Sequence, residues 1–263
     1  MRPLWIEDDV TERNPTDTHR DTPTPGGSAR NGNAQNADAP AEQIRIVTRG
    51  AAATVTLDRP RALNAITVGM RAQLVDALPG FARDPMIYCV VMRSEHPRAF
   101  SAGGDVRELT AWSKTDAERA RRAFADEYRL NWALDCFTKP TVSLIDGIVM
   151  GSGVGMTLYG THRVAGEGYR FAMPETAIGL FPDVGGGHFL PPLPGQIGMY
   201  LALTGARLKA ADCVYTGLAT HHVPHDRTAA LVAELSTLDP AEDAAAAVNH
   251  VLDAHHVNPG AAP

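Results

Sequence analysis

Cysteine is scarce in this chain. Cys89, Cys136 and Cys213 are its three cysteines among 263 residues, far apart and outside any C-x-x-C pattern. That excludes a disulfide framework and a cysteine zinc site, and it points to a reducing compartment, expected to be the cytoplasm. Positive charge is not in excess either. The net charge is −6, with no basic stripe, so nucleic-acid binding has little support. Long apolar runs are missing too. The longest, residues 142–159, is broken by Asp146, Gly147, Gly151, Gly153 and Gly155, whereas a membrane span needs about 20 apolar residues. No membrane association is expected. The opening MRPLWIEDDVTERNPTDTHRD has no apolar segment behind basic residues and does not read as a secretory signal.

Familiar catalytic signatures are absent as well. There is no His-Glu-x-x-His and no G-x-S-x-G elbow, and Gly-Ser-Gly-Val-Gly155 lacks the Gly-Lys-Ser/Thr ending of a phosphate loop. The chain has ten histidines. The runs His221, His222, His225 and His255, His256 read as solvated surface rather than a metal site.

What is present is an ordinary globular composition, 44% hydrophobic and 21% charged, long enough for a sizeable core. Residues 1–42 are rich in Pro, Thr, Asn, Asp and Gly and offer little to bury, so they are expected to be a disordered extension. The folded part should begin near Gln43 and run to about residue 225, with a short helical segment over 226–263. Alternating β-branched residues on either side of Arg49-Gly50 predict a hairpin. Met70, Leu74, Ala77, Leu78 and Phe81 predict a helix over about 67–83. IYCVVMRS and residues 141–145 read as buried strands. Residues 113–136 read as one long helix, with Trp112, Phe124, Tyr128 and Trp132 on one face. Residues 229–238 and 241–255 are candidate helices. Strands alternating with helices imply an α/β core with both sheet faces covered.

Three segments that follow apolar runs carry the candidate chemistry. They are Arg98-Ala-Phe-Ser-Ala-Gly-Gly-Asp105, Asp146-Gly-Ile-Val-Met-Gly-Ser-Gly-Val-Gly155, and Phe171-Ala-Met-Pro-Glu-Thr176 continuing to Gly187. Glycines leave backbone amides open to a ligand, and two such amides from two loops can bracket one carbonyl oxygen as an oxyanion hole. Glu175 and Asp183 sit in apolar surroundings, which raise carboxylate pKa values and suit acid–base work. A helix cap at Glu175 and a turn at Asp183 explain them equally well from sequence. Glu127, between Asp126 and Arg129 in a charged stretch, reads as part of a solvated face.

Together these segments resemble the crotonase (enoyl-CoA hydratase/isomerase) superfamily over about residues 45–223. Leu57-Asp-Arg-Pro-Arg-Ala-Leu-Asn-Ala65 and Ala99-Phe-Ser-Ala-Gly-Gly-Asp105 look like its two signatures. Lys139-Pro-Thr-Val142, the second glycine loop, the 171–187 segment, Tyr200-Leu-Ala-Leu-Thr-Gly-Ala-Arg-Leu-Lys209 and Gly217-Leu-Ala-Thr-His-His-Val223 are similar to its 3-hydroxyisobutyryl-CoA hydrolase branch. The resemblance implies a spiral of β-β-α units followed by C-terminal helices, here shortened. It also implies hydrolysis of a short branched 3-hydroxyacyl-CoA thioester, as in valine breakdown. By position, the amides of Gly104 and Ser152 form the oxyanion hole. Glu175 activates water or attacks the carbonyl, and Asp183 assists it. Glu127, Ala62, Ala102 and Asp105 contact substrate, which overturns the solvated reading of Glu127. No metal or cofactor is implied beyond the coenzyme A of the substrate, and the expected assembly is a homo-oligomer, a trimer or hexamer. Two features depart from the family: Ser152 stands where glycine is usual, and the chain ends about 40 residues after His222. A typical hydratase carries a second glutamate at the position of Gly155, which favours the hydrolase. An enoyl-CoA hydratase using Glu175 alone, or a non-catalytic acyl-CoA-binding protein, are the alternative expectations.

Overall fold

The computed structural model describes residues 43–239 and 243–261; the expected N-terminal extension lies outside them. The chain opens with the expected hairpin, β1 (Ile44–Arg49) antiparallel to β2 (Ala52–Leu57). α1 (Val68–Arg83) follows. It starts where the Thr67 hydroxyl accepts the Met70 N–H at 3.1 Å, and it buries Met70, Leu74, Leu78 and Phe81.

Three strand pairs then repeat one pattern. β3 (Cys89–Ser94) leads to β4 (Ala99–Ser101), β5 (Thr141–Ile145) to β6 (Ile148–Met150), and β7 (His162–Ala165) to β8 (Arg170–Ala172). The first strand of each pair joins a six-stranded sheet of order β1-β2-β3-β5-β7-β10. The second joins a four-stranded sheet of order β4-β6-β8-β9, with β9 at Leu208–Lys209 and β10 at His221–His222. Within each sheet these pairs are parallel. Each β-β unit therefore adds one turn to a spiral, as the family resemblance implied. The Ile145-to-Ile148 corner turns through Gly147, where φ is +81° and an added Cβ would stand 2.3 Å from the Arg98 carbonyl carbon, so only glycine fits.

Helices fill the links: α2 (Val106–Thr115) and α3 (Ala117–Asp135) after β4, and α4 (Ser152–Thr157) after β6. Next come the short α5 (Gly186–Phe189), then α6 (Ile197–Thr204) and α7 (Ala210–Thr216). The single long helix expected over 113–136 is in fact two. Asp116 leaves helical geometry, its N–H bonding back to the Trp112 carbonyl while its carboxylate accepts the Arg119 N–H at 2.9 Å. An aspartate that offers its own acceptor to the backbone ends one helix and starts the next. The aromatic face was also misread. Tyr128 and Trp132 are exposed, while Ala120, Ala123, Glu127, Leu130, Asn131 and Leu134 turn inward.

The main core lies between the two sheets and α1 and α3. A second cluster joins Val91, Val142 and Val164, on the outer face of the large sheet, to Leu231 and Leu235 of α8 (His225–Leu235) and to Val248 and Leu252 of α9 (Ala244–His255). The described residues form one compact unit. All three cysteines are free, and no described helix is long and apolar enough to cross a membrane.

The histidines correct the surface expectation only in part: His225 and His256 are exposed, whereas His222 is buried and His221 and His255 are half-buried. His162 is buried as well, and His221 lies between the tilted ring of His162 and the edge-on ring of His256, with centroids 5.9 and 5.7 Å away. They stitch α9 to the sheet edge through His162–Asn249 and His221–Asp253 contacts. Among the described residues no group of three or more His, Cys, Asp or Glu could hold a metal ion.

Candidate active site

A cavity of about 300 Å³ opens where the two glycine loops meet α3 and the 175–183 segment. Its lining includes Gly104, Gly151, Ser152, Glu127, Glu175 and Asp183. Five residues singled out from the sequence as site groups thus converge on one space from four parts of the chain.

Gly104 reaches it through a parallel bridge to Ile66. That bridge uses the Gly103 carbonyl and the Asp105 N–H, so the Gly104 N–H turns the other way and finds no acceptor among the described residues. Ser152 is the first residue of α4, where an amide has no intrahelical acceptor; its N–H is likewise unpartnered among the described residues. The two are neighbours: a Cβ built on Gly104 would stand 2.8 Å from Ser152 Oγ. Gly151 takes φ +46°, and a Cβ there would come within 3.0 Å of Glu175 Oε1. Glycine at 151 therefore lets the Glu175 carboxylate approach the loop.

Glu175 begins a short 3-10 turn and is 6% exposed, with no partner for Oε2. Burial, then the nearby charges of Asp183 and Glu127, push its pKa up to about 7. Asp183 is raised by burial, and a hydrogen bond from Tyr128 Oη to its Oδ2 at 3.0 Å opposes that rise. Glu127 is 4% exposed and raised by burial, with the Arg71 charge pulling the other way. Arg71 Nη2 stands 2.8 Å from Glu127 Oε2 and 3.3 Å from Ser152 Oγ. The Ser152 side chain is thus tied into the protein rather than left loose against a substrate.

Ala62, Ala102 and Asp105 lie outside this lining. Ala102 donates its N–H to the Leu63 carbonyl. Asp105 caps α2 through Arg107 and Glu108 and pairs with Arg59 at 2.7 Å. Its pKa is lowered: burial pushes upward, and the Arg59 and backbone hydrogen bonds outweigh it. Arg71 and Tyr128 were missed. Arg71 left a trace in the sequence: it falls three residues before Leu74 and seven before Leu78, inside the apolar arc of α1. Tyr128 left none, because its place on α3 read as part of an apolar face.

The arrangement offers two free amides for a developing oxyanion, and a carboxylate able to take a proton near neutrality. In sequence and fold the chain is similar to known proteins. A family model described as enoyl-CoA hydratase/isomerase matches residues 52–263. The mitochondrial 3-hydroxyisobutyryl-CoA hydrolase of Xenopus tropicalis is 47% identical over 212 residues, covering 80% of this chain and 54% of that protein. That of Homo sapiens is 45% identical over 198 residues, covering 75% and 51%. The chain spans about half the length of these relatives. Among solved structures, a carnitinyl-CoA dehydratase from Mycobacterium thermoresistibile superposes with a TM-score of 0.77 at 38% identity, covering 84% of this chain and 63% of that one. An enoyl-CoA hydratase from Rhodobacter sphaeroides gives 0.72 at 42%, covering 74% and 58%. With the spiral of paired strands, the two open amides and a family match from residue 52 onward in agreement, the chain belongs to the enoyl-CoA hydratase/isomerase family.

Proposed function

We propose that this chain hydrolyses a short, branched 3-hydroxyacyl-CoA thioester, the chemistry named for its 3-hydroxyisobutyryl-CoA hydrolase relatives. The observation that carries the reading is the buried Glu175 carboxylate, pushed up to about 7 and left with a free Oε2 beside the amides of Gly104 and Ser152. The thioester oxygen would sit between those amides. Glu175 would take a proton from water as the water oxygen bonds to the carbonyl carbon. The tetrahedral oxyanion would then collapse, breaking the C–S bond, and the departing coenzyme A thiolate would recover the proton. Asp183, held by Tyr128, would orient the water or the 3-hydroxyl group, and Glu127 would face the same substrate. The scheme calls for no metal or redox cofactor.

The hydratase alternative is disfavoured by Gly155. A side chain there would begin 2.8 Å from Asn131 Nδ2 and 2.8 Å from Val184 Cβ. The position at which a hydratase carries its second glutamate is therefore filled by other side chains. We also propose a homo-oligomer in a reducing compartment. The relatives named as mitochondrial make that organelle an alternative to the cytoplasm expected from the sequence. Release of free thiol from 3-hydroxyisobutyryl-CoA, set against loss of enoyl absorbance from crotonyl-CoA, tests the reading. Thiol release that Glu175→Gln abolishes supports it; enoyl consumption without thiol release would overturn it.

A further inference from the structure

Arg71 is buried, its side chain 3% exposed, on the face of α1 that also carries Met70 and Leu74 into the core. A guanidinium there has given up its hydration, and such a charge persists only where specific acceptors replace the water. Two of its acceptors belong to the cavity lining and the third to the backbone of α3, while its Nε has no partner among the described residues. Nη2 meets Glu127 Oε2 at 2.8 Å and Ser152 Oγ at 3.3 Å, and Nη1 donates to the Ala123 carbonyl at 3.3 Å. The same Nη2 stands 3.3 Å from the point where a Cβ on Gly104 would be. Arg71 therefore lies behind both residues whose amides face the cavity, and it touches α3 as well. None of the described residues lining the cavity is Lys, Arg or His, while three are carboxylates. Ser152 is what makes the link to α4: a glycine at that position has no Oγ to accept from Arg71.

Building on the acyl-CoA reading above, we propose that Arg71 is a positioning residue for the oxyanion hole. Its guanidinium, bonded to the Ser152 side chain and packed behind Gly104, holds the two amide-bearing loops in register and puts a positive charge behind the thioester oxygen. A counter-ion for Glu127 would need the first contact alone. The hydrogen bond to Ser152 Oγ belongs to the second loop, and the same Nη2 lies 3.3 Å from where a Gly104 Cβ would stand on the first; oxyanion donors act only when held at the right spacing.

Cinnamoyl-CoA provides a readout independent of turnover, because its absorbance moves to longer wavelength when its carbonyl is polarised. It is titrated into the purified chain and into Glu127→Gln, Arg71→Met/Glu127→Gln and Arg71→Lys, alongside thiol release and thermal melting. Glu127→Gln sets the baseline, and the double variant removes the buried pair as a unit, which avoids stranding one charge. The expected result is that the double variant loses most of the red shift seen in Glu127→Gln. Its turnover should fall roughly a further hundredfold, the size of losing one oxyanion donor. Arg71→Lys, with charge but no fork, should lose part of the shift. Equal red shifts in Glu127→Gln and the double variant would overturn the proposal, as would an undiminished shift in an Arg71→Lys variant that melts like wild type. A wild-type chain that binds neither cinnamoyl-CoA nor 3-hydroxyisobutyryl-CoA would sink the acyl-CoA reading itself and the proposal with it, and one that binds cinnamoyl-CoA with no red shift would overturn the oxyanion-hole assignment on which the proposal rests.

Discussion

The acid side of the pH–rate profile offers the sharpest test of the site. An ordinary glutamate titrates at 4.5, and Glu175 is pushed up to about 7, first by burial and then by the charges of Asp183 and Glu127. At about 1.4 kcal/mol per tenfold, the site disfavours the charged carboxylate by about 3 kcal/mol. A base with that value is only about 3% ionised at pH 5.5 and about 90% ionised at pH 8, so kcat/KM should rise about 30-fold across that interval. A solvent-exposed glutamate would change by only about a tenth over the same span. The apparent value belongs to the three coupled carboxylates rather than to Glu175 alone. Asp183→Asn and Glu127→Gln each remove a negative charge that raises it, so each should move the limb to lower pH. Stability moves the other way. The folded Glu175 holds its proton between 4.5 and 7, where the unfolded chain has released it. Its contribution is therefore full below 4.5 and is lost as pH rises through about 7. The assay is initial-rate thiol release at subsaturating substrate, paired with melting temperatures in the same buffers. A limb near 4.5, or one unmoved in both variants, would refute the reasoning.

Periodicity located most of the scaffold. The hairpin, α1, the buried strands and the two terminal helices all announce themselves through alternation or a 3.6-residue repeat, because each buries one face and the burial writes itself into the pattern. The break at Asp116 was harder to see, since Thr115-Asp116 in a charged stretch looks like exposed helix until the carboxylate is found accepting the Arg119 N–H. The site divides in the same way. Glycine loops after strands, and carboxylates among apolar residues, are local features and could be read directly. Glu127 could not: its charged neighbours argue for solvent, and only its pairing with Arg71, 56 positions earlier, makes burial tolerable. Local sequence carries no record of that partner, and the family resemblance supplied what the residues alone withheld. The histidines failed for a related reason. Runs of polar residues suggest surface, yet His222 is buried and His221 half-buried where α9 packs at the sheet edge, while His225 and His256 stay exposed.

Glu175→Gln should cut thiol release by about two to four orders of magnitude while leaving acyl-CoA binding measurable by calorimetry; near-normal turnover would remove Glu175 from its role. Tyr128→Phe deletes the hydrogen bond that favours ionised Asp183, so turnover should drop mainly on the acid side and recover as pH rises. Asn64→Ala should lower the melting temperature, at a cost of roughly 2–4 kcal/mol. Its amide links the Arg59 N–H, Ser94 Oγ and the Phe100 carbonyl at 2.8, 2.7 and 3.1 Å, from a buried left-handed position. Gly155 bears on which reaction the pocket can host. Its carbonyl accepts from Asn131 Nδ2 at 3.0 Å, and an alanine Cβ would stand 2.8 Å from that nitrogen and from Val184 Cβ. The backbone of α3 and the left-handed Val184 leave those neighbours little room to retreat. Gly155→Ala should therefore cost roughly 1–3 kcal/mol by overpacking. Gly155→Glu should cost more still, and should not convert the chain to an enoyl-CoA hydratase, because the new carboxylate would have to displace Asn131 and Val184 before it could reach a substrate. Melting curves of the two variants and a crotonyl-CoA hydration assay decide the matter: a Gly155→Glu chain that melts like wild type and hydrates crotonyl-CoA would show that the position is open after all.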